Sequence, residues 1–354
     1  MASLTRLLLW LLRDRMLLAL LILYAILWLA SPGLMRESYE YPDYGVLSLV
    51  AALMGGSLFL DASGLLAEAA RRIVVRGGRF PFQMFLLAVA LMSIPVLNDA
   101  VVFVSVPLAL SLADMVGIER GIAAAYTVSA VNIGSSMSPI GNPQNIIITH
   151  YYGLSHAGYL ALAVKLYLTP LLLLVGLSPR PRGRVAPCNP PPVRVRRKHA
   201  ILGLVNVAAA LILDIIGRPV LVLPLTIGTL LLDLQVAAGY DFRVLMVLWL
   251  AYADLRSLSL LLHLSPLEGV KAYLAAYGLS QLVSNVPATI ILLGSSWVPL
   301  SLGVNLGGLP LPQSSIANLI ALRLSGLNPR RYVRVLAPLS LILFAYGILV
   351  SILY

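Results

Sequence analysis

The sequence predicts an all-α, polytopic membrane protein with inverted repeats, two re-entrant hairpins and two broken helices. Of its 354 residues, 60% are hydrophobic and 11% are charged, whereas soluble domains carry roughly a quarter charged residues. The apolar stretches are long and lack the alternation that a transmembrane β-strand requires. Because lipid offers no hydrogen-bond partners, the backbone of such stretches must bond within helices. A water-soluble fold is therefore excluded.

The basic residues lie in short clusters between the apolar stretches. Lysine and arginine number 25 against 14 acidic residues, which gives a formal net charge of +11. Such clusters are typical of orientation signals in membrane proteins, and we expect no nucleic-acid partner. Cys188 is the only cysteine, so an intramolecular disulfide and a metal cluster built on thiolates are both excluded.

Nine apolar stretches approach the ~20 residues of a spanning helix. They lie near Met16–Ala30, Tyr44–Leu60, Gly121–Tyr151, Ala157–Leu177, Ala200–Ile216, Pro219–Val236, Phe242–Leu262, Leu300–Leu324 and Arg331–Tyr354. The segment Asp61–Arg76 has an apolar stripe opposite its charged residues, which predicts an amphipathic helix lying along the membrane interface.

Two further apolar stretches are interrupted near the middle by polar residues. The first covers residues 82–115 and contains Asn98-Asp99, and the second covers residues 267–299 and contains Ser284-Asn285. Polar residues are costly inside a bilayer unless they face protein or a water-filled cavity. We therefore expect each stretch to form a re-entrant hairpin with a polar tip.

Residues 178–198 are rich in proline and arginine and have little apolar surface to bury, so they are predicted to be a linker. The linker separates a first repeat, residues 1–177 with a broken helix at 121–151, from a second repeat, residues 199–354 with a broken helix at 300–324.

Basic residues predict the orientation, because positive loops are retained in the cytoplasm. If loops alternate sides and the hairpins do not cross, only Arg36, Arg218, Arg256 and Lys271 fall outside, and the linker is cytoplasmic. The N-terminus is then cytoplasmic too. Hairpins that crossed twice would leave these sides unchanged, so the count does not decide between re-entrant and crossing hairpins.

An internal repeat emerges when the sequence is shifted by 173 positions. Val131–Ile148 (VNIGSSMSPIGNPQNIII) then falls on Val304–Ala321 (VNLGGLPLPQSSIANLIA) without a gap. The coincident pairs are Val131/Val304, Asn132/Asn305, Gly134/Gly307, Pro139/Pro312, Asn145/Asn318 and Ile147/Ile320. With the orientation above, the two copies run in opposite directions, and inverted repeats with discontinuous helices are typical of secondary transporters.

Three motifs carry a resemblance to a known family: LNDAVVFVSVPLAL (Leu97–Leu110), NIGSSMSPIGNPQNI (Asn132–Ile146) and VSNVPATIILL (Val283–Leu293). Through them the chain resembles the ion transporter superfamily, which includes arsenite permeases, citrate and other divalent-anion symporters, and some sodium/proton antiporters. The resemblance implies two hairpins with Asn-containing tips that meet two unwound helices at the membrane midplane. The unwound turns would be Ser138–Pro143 and Leu309–Ser315.

The resemblance and the helix breaks together define a candidate substrate- and ion-binding site. Half-helix N-termini point amides at an anion, and the carbonyls freed at a break coordinate a cation. The alternative is that Gly and Pro here only permit close packing or a kink. The candidate residues are Asn98, Asp99, Asn132, Ser138, Gly141, Asn142, Asn145, Ser284, Asn285, Thr289, Gln313, Ser314 and Asn318, with sodium expected, if at all, at Asn98 and Asn285.

Few charged residues interrupt the apolar stretches. Asp99, at the first tip, is predicted either to carry a proton or to cap the helix that follows it. Lys165 lies within a predicted span and is expected to attract an anion or to pair with an acid. Asp214, Asp233 and Asp254 lie near predicted span ends, where headgroup solvation would suffice, so we assign them no role.

The sequence thus predicts a multi-pass cell-membrane protein that acts as a secondary active transporter. The expected cargo is a small inorganic or carboxylate anion, citrate/dicarboxylate-like or arsenite-like, coupled to a proton or a sodium ion. A sodium/proton antiporter and an ion channel lined by the same hairpins are the alternatives. The lipid bilayer is the expected environment, and a homodimer is left open. The sequence contains no catalytic or cofactor motif, so neither an enzyme nor a cofactor is expected.

Overall fold

The computed structural model describes residues 15–76, 80–180 and 192–354. Within these ranges the chain forms eighteen α-helices and three short 3₁₀ helices, and no strand. The prediction of an all-α fold is therefore confirmed. Most of the predicted linker, including Cys188, lies outside the described residues.

The helices are numbered along the chain. Those before the linker are α1 (Arg15–Ala30), α2 (Pro32–Arg36), α3 (Tyr44–Ser63), α4 (Leu65–Arg76), α5 (Pro81–Met92), α6 (Asn98–Val116), α7 (Arg120–Ser136), α8 (Pro143–Tyr151) and α9 (His156–Leu177). Those after it are α10 (Arg197–Ile215), α11 (Leu223–Leu231), α12 (Leu234–Ala237), α13 (Arg243–Leu261), α14 (Gly269–Val283), α15 (Asn285–Ile291), α16 (Trp297–Gly307), α17 (Ile316–Ser325) and α18 (Pro329–Ser351).

Six helices are long and apolar enough to cross a membrane, namely α3, α6, α9, α10, α13 and α18. Each has 19 to 23 residues, which corresponds to roughly 30 Å of helix and matches the hydrocarbon thickness of a bilayer. The architecture is therefore that of a polytopic helical membrane protein.

Two predicted elements differ from the structure. The amphipathic helix begins at Leu65, because Gly64 adopts a left-handed conformation (φ +73°) that ends α3. The predicted span Pro219–Val236 is not one helix but a 3₁₀ turn followed by α11 and α12. Asp233 interrupts it by accepting hydrogen bonds from the amides of Gln235 and Val236, which starts a new helix.

Both predicted hairpins correspond to helix pairs. The first comprises α5 and α6, joined at Ser93–Leu97, and the second comprises α14 and α15, joined at Ser284. The second hairpin ends at Ile291, earlier than the predicted residue 299. Because α5 has 12 residues and α15 has 7, neither is long enough to span a bilayer. The 19-residue α6 is long enough, and re-entrance of both hairpins stays a prediction.

Both predicted broken helices are interrupted. The first runs as α7 to Ser136 and resumes as α8 at Pro143, and the second runs as α16 to Gly307 and resumes as α17 at Ile316. The restart positions, Pro143 and Ile316, differ by the same 173 positions as the sequence repeat. The second broken helix begins at Trp297 rather than at the predicted residue 300.

Helix α7 lies at the centre of this arrangement. It packs against the first hairpin, against α9 and against α17, and all but one of its residues from Gly121 onward are buried. A glycine permits the closest of these contacts, since a Cβ at Gly134 would lie only 2.2 Å from the Ala90 carbonyl oxygen of α5.

A cluster of imidazoles and carboxylates joins the ends of four helices away from this centre. His150 Nε2 lies 2.8 Å from Asp214 Oδ1, and His156 Nε2 lies 2.9 Å from Asp214 Oδ2. His150 Nδ1 also lies 3.4 Å from Asp43 Oδ2. Burial alone would raise the pKa of Asp43, but hydrogen bonds from His150 and the Val46 amide lower it overall. The cluster connects α3, α8, α9 and α10.

Candidate functional site

The tip of the first hairpin is bound to the first helix break. The backbone amide of Asn98 donates to the carbonyl oxygen of Gly141 at 2.9 Å. The side-chain Nδ2 of Asn98 donates to Oδ1 of Asn132 on α7 at 3.3 Å. Two independent hydrogen bonds therefore hold Asn98 beside the interruption between α7 and α8.

The tip of the second hairpin contacts the second break in the corresponding way. Ser284, with φ +74°, donates from Oγ to the carbonyl oxygen of Ser314 at 3.3 Å. Asn285 Oδ1 accepts from the following backbone amide at 2.9 Å, as Asn98 Oδ1 does at 3.0 Å. Gly141 and Ser314, the carbonyls that receive the tips, are 173 positions apart.

Two reciprocal amide pairs join the broken helices. Asn132 Nδ2 donates to Asn318 Oδ1 at 3.0 Å, and Asn305 Nδ2 donates to Asn145 Oδ1 at 2.9 Å. A shift of 173 positions converts Asn132 into Asn305 and Asn145 into Asn318. Each copy therefore sends one asparagine from its first half-helix to the second half-helix of the other copy.

The same asparagines also donate hydrogen bonds to backbone carbonyls at the breaks. Asn145 Nδ2 donates to the carbonyl oxygens of Ser135 at 3.2 Å and Ser138 at 2.9 Å. Asn318 Nδ2 donates to those of Gly308 at 2.7 Å and Leu311 at 3.0 Å.

These carbonyls also correspond under the shift, Ser135 with Gly308 and Ser138 with Leu311. Because an unpaired buried carbonyl is costly, the asparagines are what make the interruptions tolerable inside a membrane.

Sequence reasoning missed the residue with the most contacts, Asn305. Its Oδ1 accepts hydrogen bonds from Asn142 Nδ2 and Gln144 Nε2, both at 3.1 Å. Its Nδ2 also donates to the hydroxyl of Tyr167 at 3.1 Å and the carbonyl of Ser301 at 2.9 Å. The signal that identifies Asn305 is its coincidence with Asn132 under the repeat.

We refer to the side chains of Asn98, Asn132, Asn142, Asn145, Asn305 and Asn318 as the amide network. All six are buried, and Asn142 also caps α8 by accepting from the Asn145 amide at 2.9 Å. The network itself contains no charged side chain. Within the described part of the chain, no group of three or more His, Cys, Asp or Glu residues is arranged to hold a metal ion.

Several predicted site residues lie apart from the amide network. Gln313 is exposed, and its amide reaches only the Gln281 carbonyl at 3.5 Å. Thr289 is buried, but its hydroxyl donates to the Asn285 carbonyl within α15 at 2.8 Å. Asp99 is half-buried beside the network, and Lys165 is exposed on α9 rather than paired with an acid. The side chains of these four residues therefore lie outside the network, and Asp99 contacts it only through its backbone amide, which donates to Asn98 Oδ1.

Asp254 differs most from its sequence-based interpretation. It lies seven residues before the end of α13, which is roughly 10 Å of helix, and its exposed fraction is 0%. Neither carboxyl oxygen has a hydrogen-bond partner. Solvation by headgroups, the expectation from its place near a span end, is therefore wrong for this residue.

Comparison with known proteins places this architecture in a family. The model of the citrate transporter family matches residues 6–298. The inner membrane protein YbiR of Escherichia coli (strain K12) is 34% identical over 313 residues, which cover 82% of this chain and 81% of that protein. The uncharacterized transporter MJ0456 of Methanocaldococcus jannaschii is 26% identical over 297 residues, which cover 80% of this chain and 80% of that protein.

The fold also matches a solved structure. The crystal structure of the Alcanivorax borkumensis YdaH transporter aligns with 90% of this chain and 87% of its own, with a TM-score of 0.54 and 16% sequence identity. At that identity the likeness concerns the fold alone. Together with the family match over most of the sequence, it shows that this chain belongs to the citrate transporter family and is a multi-pass membrane transport protein.

Proposed function

We propose that this protein is a secondary active transporter that moves a small anion across the membrane together with a proton or a sodium ion. Citrate, a dicarboxylate and arsenite are the candidate cargoes. The observation that carries the proposal is the amide network, in which two helix breaks are joined by reciprocal asparagine pairs and the tip of the first hairpin binds one member of a pair. A binding site that both repeats build in common is the arrangement expected of a carrier with alternating access.

The chemistry of the network favours an anion accompanied by a cation. The N-termini of α8 and α17 begin at the two breaks and provide positive dipole ends. Because no basic side chain belongs to the network, the dipole ends alone offset the charge of a bound anion. A co-bound cation, either sodium at Asn98 and Asn285 or a proton on Asp99, supplies the remaining compensation. This requirement supports symport.

The orientation belongs to the same proposal. The N-terminus and the linker lie in the cytoplasm, the two repeats run in opposite directions, and the hairpins enter and leave on the same side. A site at the repeat interface then opens alternately to each side as one repeat moves against the other.

Transport by the purified protein in liposomes tests the proposal. Uptake of citrate, succinate, sulfate and arsenite is measured with an imposed sodium gradient, an imposed proton gradient, or neither. We expect saturable accumulation of one of these anions that requires one of the two gradients. Sodium efflux against a proton gradient without anion uptake would identify an antiporter instead, and unitary currents across a planar bilayer would identify a channel.

A further inference from the structure

Asp254 on α13 is a buried acid that the amide network does not use. We propose that Asp254 is a proton-binding site, separate from the amide network, whose protonation is coupled to the contact between α13 and the second hairpin. The inference rests on the proposed function, because it assigns a coupling proton to that transporter.

The first step concerns the partners of the carboxyl group. Both oxygens are buried and make no hydrogen bond, and no ion pair involves Asp254. The nearest hydroxyl on the same face, that of Ser257, donates to the Ala253 carbonyl at 2.6 Å. An unpaired carboxylate is far more costly to bury than a neutral acid. The packing seen in this structure, in which Asp254 is buried, therefore requires the carboxyl group to be protonated.

The second step concerns the direction in which Asp254 points. Trp249 marks the side of α13 that packs on α1, since its ring lies 6.2 Å from that of Tyr24. Asp254 follows five residues later, which rotates it roughly 140° away from that side. Apart from α1, the principal helix packed against α13 is α15, the second arm of the second hairpin. Asp254 therefore lies away from the side of α13 that contacts α1, and α15 is the other helix that packs most extensively on α13.

The third step is an inventory of neighbouring charges. The titratable and charged residues on elements packed against α13 are Arg15 and Tyr24 on α1, Arg36 on α2, Tyr39 and Glu40 in the adjoining 3₁₀ turn, Asp43, Tyr44 and Asp61 on or beside α3, and Arg243, Tyr252 and Arg256 on α13 itself. Helix α15 contributes none. In the described part of the chain, no basic group donates a hydrogen bond to either carboxyl oxygen of Asp254.

A proton suits this site better than a metal cation. A hard cation requires several converging oxygen ligands, whereas the positions one turn away on either side, Leu250 and Leu258, are apolar. Among the described residues, no group of three or more His, Cys, Asp and Glu side chains is arranged to hold a metal ion. A single carboxyl in apolar surroundings needs only one proton to become neutral.

A coupling mechanism follows from this burial. Release of the proton leaves a carboxylate that must reach water or a cation, and neither is available while α13 and α15 remain packed. Deprotonation therefore requires that this contact opens, and closure requires that Asp254 takes up a proton from the solution. Because α15 begins at the tip residue Asn285, opening of the contact changes the position of one side of the binding site.

The test compares Asp254→Asn, a neutral variant of the same shape, with Asp254→Glu and with the control Asp114→Asn, whose carboxylate is exposed and paired with Arg120 at 2.6 Å. Infrared difference spectra of the detergent-solubilised protein between mildly acidic and mildly basic pH report titrating carboxyl groups without any need for transport. We expect a protonated-carboxyl band that is lost in Asp254→Asn and retained in the Asp114→Asn control.

Transport provides the second readout. In Asp254→Asn, anion exchange at equal pH is expected to continue, while accumulation driven by a pH gradient falls to its value without a gradient. Asp254→Glu is expected to recover part of that accumulation. The proposal is overturned if the infrared band survives in Asp254→Asn, or if this variant accumulates anion like the wild type. Absence of anion transport by the wild type, with the band assigned to Asp254, would instead overturn the proposed function alone.

Discussion

At the scale of single residues, the site is built from neutral amides. A primary amide offers two donors and an acceptor with two lone pairs, so one asparagine can bind a facing asparagine and also satisfy carbonyls of its own break. Asn145 and Asn318 both do so. Leaving one such buried group unpaired costs about 1–3 kcal/mol, which explains why the network fixes a single arrangement.

The first prediction concerns Asp99, the half-buried acid at the first tip. If Asp99 carries the coupling proton, Asp99→Asn should retain part of the anion exchange and lose accumulation driven by a pH gradient, because the amide imitates the protonated acid. Asp99 does not cap α6, because Leu97 holds the N-cap position and no side chain caps the helix. If Asp99 carries no proton, both activities should persist. Exchange and gradient-driven uptake measured on the same vesicles distinguish these results.

A second prediction concerns Asp43, which caps α3 through the Val46 amide at 3.0 Å and contacts His150. Because its pKa is lowered below the ordinary 3.8, the carboxylate stabilises the fold above that pH, and the contribution is lost as pH falls through the folded-state value. Asp43→Asn keeps the cap but removes the charge, and should cost about 1 kcal/mol at neutral pH.

Melting curves of the detergent-solubilised protein, with and without Asp43→Asn, measure this cost. The difference in melting temperature between variant and wild type should shrink as the pH approaches 3.8. A difference that is constant with pH would contradict an electrostatic origin.

Residue by residue, the sequence predicted the site where polar residues stand inside apolar stretches. Asn98, Asn132, Asn142, Asn145 and Asn318, all candidate residues from the sequence, belong to the amide network, and their role in binding stays a prediction. Asn305 was not among the candidates, although the repeat aligns it with Asn132. The environment of Asp254 was not predictable, since burial depends on packing between distant segments.

At the scale of elements, hydrogen bonds from nearby residues replace those that the backbone loses at each helix break. Pro143 starts α8 where its missing amide hydrogen is not needed, and Asn142 caps the same helix. Carbonyl oxygens at and just after the end of α7 accept hydrogen bonds from Asn145 Nδ2. The break is therefore a defined local structure with specific hydrogen bonds, which accounts for its coincidence with the sequence motif.

Helix packing gives the third prediction. A methyl group at Gly134 would overlap the Ala90 carbonyl, so Gly134→Ala should separate α7 from α5 and destabilise the protein by about 1–3 kcal/mol. Gly176→Ala on α9 is the matched control, because nothing lies within 4 Å of its added methyl. The control should melt no lower than the wild type. Equal melting temperatures for the two variants would contradict the close approach of α7 and α5.

The boundaries of elements were predictable where a strong local signal exists. The breaks at Pro143 and before Ile316 follow from proline and glycine residues near both of them, and the first also from its capping residue Asn142. The predicted span at Pro219–Val236 failed because Asp233 makes a local cap whose preference for a turn outweighs the apolar composition around it. Asp233 Oδ2 also lies 2.9 Å from His199 Nε2. Because His199 is distant in the sequence, this contact could not be predicted from the residues around Asp233.

At the scale of the whole molecule, the hydrogen bonds repeat with the same period as the sequence. The shift of 173 residues relates the reciprocal asparagine pairs, the carbonyls they satisfy and the carbonyls that receive the hairpin tips. Each repeat contributes the same set of polar residues at its helix break, and the two sets bind each other. A chain with few polar residues can therefore form a polar centre. The proposed opposite orientation of the two copies has a direct test.

The fourth prediction tests this orientation through the only cysteine. Cys188 lies in the basic linker, which the distribution of positive charge assigns to the cytoplasm. A membrane-impermeant thiol reagent should therefore leave Cys188 unlabelled in intact cells and label it after the membrane is permeabilised. Cys188→Ser serves as the control for background labelling. Labelling of Cys188 from outside intact cells would contradict the proposed cytoplasmic location of the linker.

The most direct test of the central claim, that the amide network is the transport site, is counterflow of the transported anion by Asn305→Ala. This variant removes the acceptor that the amides of Asn142 and Gln144 share, and exchange should fall about tenfold or more. Asn206→Ala removes an equally buried asparagine that binds Thr226 at 3.0 Å outside the network, and it should exchange at the wild-type rate. Wild-type counterflow by Asn305→Ala, or an equal loss in both variants, would contradict the claim.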